Sequence, residues 1–243
     1  METRPPARTA TAVGCPLSRL EARVRLSIII PVRNEAANIV ATLAPLQARR
    51  GELELIMVDG GSSDDTAALA TPLVDHLISA AAGRANQMNA GAAIAQGQWL
   101  LFLHADTQLP TNFLDLLPTA HAASQWGRFD VRLSPSSPML HVVAWMMNWR
   151  SRLTGVCTGD QAIFVRRALF EQLGGYAPIP LMEDIELSKR LRKISPPLCL
   201  RPPLTTSSRR WQTHGTLRTI VLMWWLRWRY WRGAPVEELA RRY

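Results

Sequence analysis

The sequence predicts an α/β fold of three layers, in which helices cover both faces of a mainly parallel central sheet. Residues 26–32, 53–58 and 100–103 are nearly continuous in apolar residues, which predicts strands buried on both faces. Segments with helical spacing of apolar residues separate these runs, and such alternation of strands with helices is typical of parallel sheets. The 243 residues are enough for one large domain of this class.

The first strand, loop and helix establish the pattern. Residues 26–32 are rich in β-branched side chains, and Pro31 is expected to end this strand. Ile39, Leu43 and Leu46 then give the next helix one apolar face.

The second unit repeats this order with a strand at 53–58, a loop at 59–65 and a helix from 66 to about 73. Ser62 and Asp65 have the spacing of a helix cap. Further along the chain we expect a short strand near 76–78, an Ala-rich helix ending at Gln96, the strand at 100–103, a strand at 126–133, a helix at 140–153, a strand at 162–165, a helix within 180–191 and a helix at 216–232.

Positive charge is concentrated toward the end of the chain. The net charge is +9, and residues 201–243 carry nine Arg and two Glu. Five of the nine Trp lie between Trp211 and Trp231, interleaved with Arg, which favours an anionic membrane surface over nucleic acid as the partner. The alternative is a Trp-rich helix that packs on its own domain.

Cysteine usage and hydropathy indicate the compartment. Cys15, Cys157 and Cys199 are widely spaced, which predicts neither a zinc site nor a disulfide framework. Residues 1–25 lack the apolar core of a secretory signal and predict a disordered basic leader. No segment reaches the roughly 20 apolar residues that span a bilayer. We therefore expect a cytoplasmic protein, at most peripheral on the inner face of the membrane.

Polar residues follow two of the predicted strands. His104 and Asp106 come after the run at 100–103, and Asp59 follows the second strand, before two glycines. Ligands of open parallel sheets bind at the carboxyl ends of strands, so these side chains are candidates for a binding site. In the alternative interpretation, Asp106 caps a turn and His104 is a polar residue at the rim of the sheet.

Three further acidic residues form a second group of candidates. Glu183 and Asp184 would lie in the first turn of a helix, where a carboxylate can act as a base or merely stabilise the helix end. Asp160 follows Gly159 and either belongs to this site or ends a turn. Both interpretations remain open for each.

Four segments in this order resemble the signature of family 2 glycosyltransferases. They are Ile-Ile-Pro-Val-Arg-Asn-Glu at 29–35, Val-Asp-Gly-Gly-Ser-Ser-Asp-Asp-Thr at 58–66, Leu-His-Ala-Asp at 103–106 and Met-Glu-Asp-Ile-Glu-Leu at 182–187. With Gly-Arg-Ala-Asn-Gln-Met-Asn-Ala-Gly at 83–91 and Gly-Asp-Gln at 159–161, the set most resembles a bacterial subgroup, the radical-SAM/selenodomain-associated transferases. The resemblance implies the GT-A fold.

The resemblance also implies domain bounds. Residues 26–215 would form the GT-A domain, with a nucleotide-binding half at 26–109 and an acceptor half at 110–215. Residues 216–243 would add a basic, Trp-rich C-terminal helix.

Roles of single residues follow from the same resemblance. Asp106 would bind the divalent cation, Asp184 would deprotonate the acceptor hydroxyl, and Glu183 would shape that pocket. The residues implied at the donor nucleotide are Pro31, Glu35, Asp59, Arg84, His104, Asp106 and Arg210. The candidates on the acceptor side are Asp160 and Trp211.

Two departures from the family pattern matter. His104 stands where the usual Asp-x-Asp motif has its first acid, and this leaves the choice of Mn²⁺ or Mg²⁺ open, because imidazole suits transition metals better than magnesium. Arg209-Arg210-Trp211 resembles the Gln-x-x-Arg-Trp element of processive relatives but has no Gln in register. Polymer synthesis is therefore not expected.

The implied reaction is a metal-dependent, inverting sugar transfer from a UDP- or GDP-sugar to an acceptor hydroxyl. The basic, Trp-rich tail favours a lipid-like acceptor. Two alternatives are a sugar nucleotidyltransferase, which would need a Gly-rich phosphate loop after the first strand, and a membrane-associated binding protein with a degenerate transferase site.

Overall fold

The computed structural model describes residues 25–118 and 123–243, and a sheet of eight strands runs through this part of the chain. All of the predicted leader except Arg25 lies outside the described residues, as does Cys15. The strands are β1 Leu26–Val32, β2 Leu53–Asp59, β3 His76–Ser79, β4 Trp99–Phe102, β5 Thr107–Gln108, β6 Trp126–Ser134, β7 Phe164–Arg166 and β8 Leu198–Ser207.

Helices connect and cover the strands. They are α1 Ala36–Leu43, α2 Thr66–Ala70, α3 Arg84–Ile94, α4 Phe113–Leu116, α5 Pro138–Thr154, α6 Arg167–Gln172, α7 Glu183–Leu191, α8 Arg209–His214, α9 Thr216–Trp231 and α10 Val236–Arg242. Short 3-10 turns at Ala44–Arg49, Thr71–Leu73 and Gly159–Gln161 add to them.

The sheet is mixed but mostly parallel. Its order is β3-β2-β1-β4-β7-β6-β8-β5, and the pairings from β3 to β4 are all parallel. β7 runs antiparallel to both β4 and β6, and β5 runs antiparallel to β8. This architecture confirms the predicted α/β class.

Alternate residues of β1 bury different helices, which gives the sheet its two covered faces. Ile28 and Ile30 lie in one apolar cluster with Ile39 and Leu43 of α1. Ile29 lies in a second cluster, which also holds Met88 of α3. Because residues of a strand point alternately to opposite faces, the two clusters form the two interfaces of a three-layer sandwich.

Pro31 lies inside β1, so the prediction that it ends the strand is wrong. Its register partner is Val58, and all seven residues of β1 are buried. The pairing of β4 with β1 stops at Ile29 and Phe102. Backbone N–H groups of alternate residues point to the same neighbouring strand, so an N–H at residue 31 would point toward the β4 side, as that of Ile29 does. Because the pairing with β4 ends at Ile29, the missing N–H of Pro31 breaks no ladder bond.

The predicted cap of the second helix is also wrong. The Ser62 hydroxyl donates to Asp59 Oδ1 at 2.5 Å, and the side chain of the N-cap residue of α2, Asp65, makes no capping hydrogen bond. The short Ser side chain bonds within its own loop, as Ser often does in turns.

α3 is fastened to the ends of β1 and β2 by one buried amide. Gln87 Nε2 donates to the carbonyl oxygens of Val32 at 2.8 Å and Val58 at 2.9 Å. α3 begins at Arg84, one turn earlier in the chain. The amide of Gln87 therefore sets where the first turn of α3 sits relative to the carboxyl edge of the sheet.

Replacing Gln87 by Leu keeps the side-chain size but removes both N–H donors. We expect the free energy of unfolding to fall by about 1–3 kcal/mol, because Val58 loses its amide partner in a buried place. The exposed Gln96 supplies a matched control, and Gln96→Leu should change this free energy by less than about 0.5 kcal/mol. Urea unfolding measures both, and equal effects would contradict the bridging role of Gln87.

Candidate functional site

A cleft of about 480 Å³ lies at the carboxyl edge of the sheet. It gathers most of the site residues that the sequence predicts. Those that line it are Pro31, Glu35, Arg84, His104, Asp106, Asp160, Glu183, Arg210 and Trp211. Asp59 and Asp184 were predicted with them but do not line the cleft.

His104 and Asp106 lie in a tight turn just after β4. Leu103 N donates to the carbonyl of Ile29 at 3.0 Å, and Thr107 N donates to the carbonyl of His104 at 3.1 Å. The first bond continues the pairing with β1 and the second closes the turn. Both side chains thereby reach the cleft from one short segment.

The surroundings of Asp106 are rich in negative charge. Burial raises the pKa of the Asp106 carboxyl; His104 opposes this rise, the charges of Glu35 and Asp160 add to it, and Arg209 opposes it. A cation bound at this carboxylate would offset the repulsion from its acidic neighbours.

The donor set of the cleft bears on which cation it could hold. Within residues 25–118 and 123–243, no three or more His, Cys, Asp or Glu side chains are grouped so that they could hold a metal ion. The Asp106 side chain lines the cleft. Mg²⁺ sites often combine one or two carboxylates with substrate phosphates and water. The residues therefore fit a cation that a bound diphosphate helps to hold.

The imidazole ring of His104 packs against both Asp160 and Gly159. Its Nδ1 lies 3.4 Å from Asp160 Oδ1. A Cβ added at Gly159 would lie only 2.6 Å from His104 Nε2. The close approach of the imidazole to this backbone thus requires a residue without a side chain at 159.

Asp160 is held as a carboxylate. Desolvation works to raise its pKa, but the hydrogen bond and positive charge of His104, with the charges of Arg84 and Arg227, lower the pKa of Asp160 to about 2. Asp160 is therefore ionised at neutral pH and keeps the imidazole in place.

Asp59 organises a loop beside the cleft. Its carboxylate accepts hydrogen bonds from Ser62 N at 3.1 Å and from the Ser62 hydroxyl. Asn34, whose φ is 55°, accepts from Ser63 N at 2.8 Å and so ties the loop after β1 to the same segment. Asp59 is also the register partner of Val32, which lines the cleft.

Glu183 and Asp184 face different neighbours at the start of α7. Glu183 is buried, and its Oε1 lies 3.7 Å from Arg84 Nη1. Burial raises the pKa of Glu183, the charge of Asp184 raises it further, and Arg84 opposes both. Asp184 accepts hydrogen bonds from Gly159 N at 2.9 Å and Ile185 N at 2.7 Å.

Two lining residues, Arg209 and Tyr243, were not among the site residues predicted from the sequence. Arg209 Nη2 lies 3.2 Å from Glu35 Oε1, and this ion pair joins the two sides of the cleft. The guanidinium of Arg210 stacks 3.6 Å from the ring centroid of Tyr243. The position of Arg209 next to Arg210 was a signal that could have found it, whereas nothing local marks Tyr243.

A second cavity of about 330 Å³ adjoins the cleft between α5 and α9. The two share Asp160, Trp211 and Met223 as lining residues. Arg150 and Arg227, neither of which the sequence analysis singled out, also line the second cavity. The candidate site thus has two adjoining compartments that share part of their lining.

The model of the family described as "Glycosyl transferase family 2" matches residues 27–124. This match confirms the family 2 resemblance for that part of the chain. Among curated proteins, PGL/p-HBAD biosynthesis glycosyltransferases of Mycobacterium tuberculosis and Mycobacterium bovis are 35% identical over 169 residues, which is 62% of this chain and 62% of theirs. The chain thus spans about three fifths of the length of these relatives.

Solved structures share the fold. TarS 1–349 from S. aureus superposes with a TM-score of 0.59 at 16% identity, covering 76% of this chain and 60% of that one. The mannosyltransferase PcManGT from Pyrobaculum calidifontis gives 0.56 at 22%, with 76% and 57% coverage. Glucosyl-3-phosphoglycerate synthase from Mycobacterium tuberculosis gives 0.59 at 19%, with 93% and 88% coverage. These likenesses confirm the GT-A type of α/β fold.

The contact between His104 and Gly159 can be tested by a double-mutant cycle. Gly159→Ala should lower the free energy of unfolding by about 1–3 kcal/mol, because its Cβ overlaps the imidazole. In a His104→Ala background the same substitution should cost less than about 0.5 kcal/mol. Chemical denaturation of the four proteins gives the coupling, and an equal cost in both backgrounds would contradict the packing.

Proposed function

We propose that this chain, whose residues 27–124 match the model of glycosyl transferase family 2, moves a sugar from a nucleotide-sugar donor to an acceptor hydroxyl, as an inverting and non-processive enzyme. The observation that carries the proposal is the meeting of His104, Asp106 and Glu183 in one cleft at the carboxyl edge of the sheet. Ligands of open α/β sheets bind at this edge.

The donor in this proposal is a UDP- or GDP-sugar. Proteins of the same fold were solved with such ligands, TarS 1–349 with UDP-GlcNAc and PcManGT with GDP-Man and Mn²⁺. In this chain Pro31, Glu35 and Asp59 would form the nucleoside pocket. Arg84 and Arg210 would face the diphosphate, where a fixed positive charge stabilises the phosphates.

A divalent cation, Mn²⁺ or Mg²⁺, would be held by Asp106 together with diphosphate oxygens. Such an ion offsets the charge that builds on a leaving nucleoside diphosphate. Its place in the cleft is supported by the position of the Asp106 carboxylate in the lining, where burial and the charges of Glu35 and Asp160 raise its pKa. His104 would orient Asp160 and limit which metal fits.

Asp184 is proposed as the base. It would take the proton of the acceptor hydroxyl while that oxygen bonds to the anomeric carbon and the bond from this carbon to the diphosphate breaks. One displacement of this kind inverts the anomeric centre. The hydrogen bonds from Gly159 N and Ile185 N fix the Asp184 carboxylate beside Asp160.

The exposed side chains of α9 bear on the acceptor and on the cellular location. We infer a lipid-like acceptor and a peripheral position on the cytoplasmic face of a membrane, because α9 carries exposed Trp and Arg side chains. No helix in the described part of the chain is long and apolar enough to cross a membrane.

The narrower subgroup remains a prediction from the sequence motifs. The curated relatives reported above carry the description PGL/p-HBAD biosynthesis glycosyltransferase and not the radical-SAM/selenodomain label. The segment after β1, Arg33-Asn34-Glu35, is not the Gly-rich loop that a sugar nucleotidyltransferase would need.

Donor binding and turnover should respond differently to two substitutions. With Mn²⁺ and a panel of UDP- and GDP-sugars, a ligand at about 100 times its Kd should stabilise the protein by about 2.7 kcal/mol. Asp106→Ala should abolish the part of this stabilisation that depends on Mn²⁺. Asp184→Asn should keep it and slow nucleoside diphosphate release by about 10²- to 10⁴-fold.

The exposed Asp115 on α4 gives a control, since Asp115→Asn should leave both measurements unchanged. If no nucleotide sugar stabilises the protein, the proposal is wrong. If donors bind but no nucleoside diphosphate is released, the chain is a binding protein with a degenerate site.

A further inference from the structure

The cavity between α5 and α9 is built from two matching helical stripes. α5 contributes Val143, Met146, Met147 and Arg150, and α9 contributes Ile220, Met223, Trp224 and Arg227. Each set has the spacing i, i+3, i+4, i+7, which places its members on one face of a helix. Each stripe begins with apolar residues and ends with an arginine, so the cavity has an apolar part and a cationic part.

The cationic part of the cavity contains hydrogen-bond donors that are not used. Arg150 Nε and Nη2 are buried and have no hydrogen-bond partner among the described residues. Burial lowers the pKa of Arg150 to about 10; the charge of Arg227 lowers it too, and Asp184 opposes them. Burial likewise lowers the pKa of Arg227. Two desolvated like charges are costly, the more so where Arg150 leaves donors unused, and an anionic group between them would relieve that cost.

The apolar part opens on an exposed apolar surface. Met146 and Trp224 line the cavity, yet their exposed fractions are 39% and 59%. The rings of Trp145 and Trp149 of α5, near Met146 in sequence, are tilted against each other with centroids 6.1 Å apart, and both are exposed. Exposed patches of this kind are typical of membrane or ligand contacts. An apolar chain could therefore enter the cavity from a bilayer.

The inner part of the cavity meets the donor cleft. Asp160 and Trp211 line both compartments. The charge of Asp184, the proposed base, acts on both Arg150 and Arg227. A molecule held by these arginines would thus lie next to the donor cleft.

We propose that this cavity is the acceptor site and that it binds a membrane lipid whose anionic group, a phosphate or carboxylate, lies between Arg150 and Arg227. The apolar body of the lipid lies along the Val, Ile and Met stripes. This assignment rests on the proposed transferase function. It also adds α5 to the membrane-facing surface, which the sequence analysis predicted for the C-terminal helix alone.

Isothermal titration with decyl phosphate, decanol and inorganic phosphate tests the assignment. The full chain should bind decyl phosphate. Arg150→Gln and Arg227→Gln should each weaken this binding by about 10-fold or more, since a hydrogen bond to a charged group contributes roughly this factor. Arg218→Gln, an exposed arginine of α9 outside the cavity, should bind like the unmodified chain. Decanol should bind all four proteins alike.

Three outcomes overturn the assignment. The first is that the full chain does not bind decyl phosphate. The second is unchanged affinity for decyl phosphate in both arginine variants. The third is inorganic phosphate binding as tightly as decyl phosphate, which would identify a site for the free anion instead of a lipid.

Folding of the variants is checked in the same samples. Removing an unpaired buried charge should raise the Tm of Arg150→Gln by about 2–4 °C, so loss of affinity in a more stable protein cannot come from misfolding. Stabilisation by nucleotide sugars should be unchanged in every variant. Binding of nucleotide sugars without binding of decyl phosphate would overturn the acceptor assignment and leave the proposed function standing. Binding of decyl phosphate without binding of any nucleotide sugar would overturn the proposed function.

Discussion

The parallel pairing of β1 with β2 and β4 is the constraint on which the site depends. It brings the carboxyl ends of three strands to one edge, so that the loop after β1, the Asp59 loop and the His104 turn meet there. The amide of Gln87 holds two of these ends together from α3. The cleft is therefore a consequence of strand order and not of any single motif.

Charge is distributed unequally between the two compartments. In the donor cleft burial raises the pKa of the Asp106 carboxyl, and the acidic Glu35 and Asp160 add to the rise. The adjoining cavity carries the half-buried Arg150 and Arg227, and two nitrogens of Arg150 have no hydrogen-bond partner among the described residues. The first compartment suits a cation with its diphosphate, and the second suits an anion. Asp160, Trp211 and Met223 line both compartments.

Local patterns in the sequence were enough for the buried strands and for the start of α7, because apolar runs and helix-end acids act within a few residues. They were not enough where a neighbour in space decides. β1 continues through Pro31 because its pairing with β4 ends at Ile29. Ser62 hydrogen-bonds to Asp59 instead of capping α2. The stripe ending in Arg150 was visible in the sequence, but its meaning depends on α9 lying opposite.

The most direct test of this account is the position of manganese in crystals grown with Mn²⁺ and UDP or GDP. Anomalous scattering should give a peak at coordination distance, on the order of 2 Å, from the Asp106 carboxylate and the diphosphate oxygens. A nucleotide bound at the strand ends with its metal away from Asp106, or bound elsewhere on the chain, would contradict it.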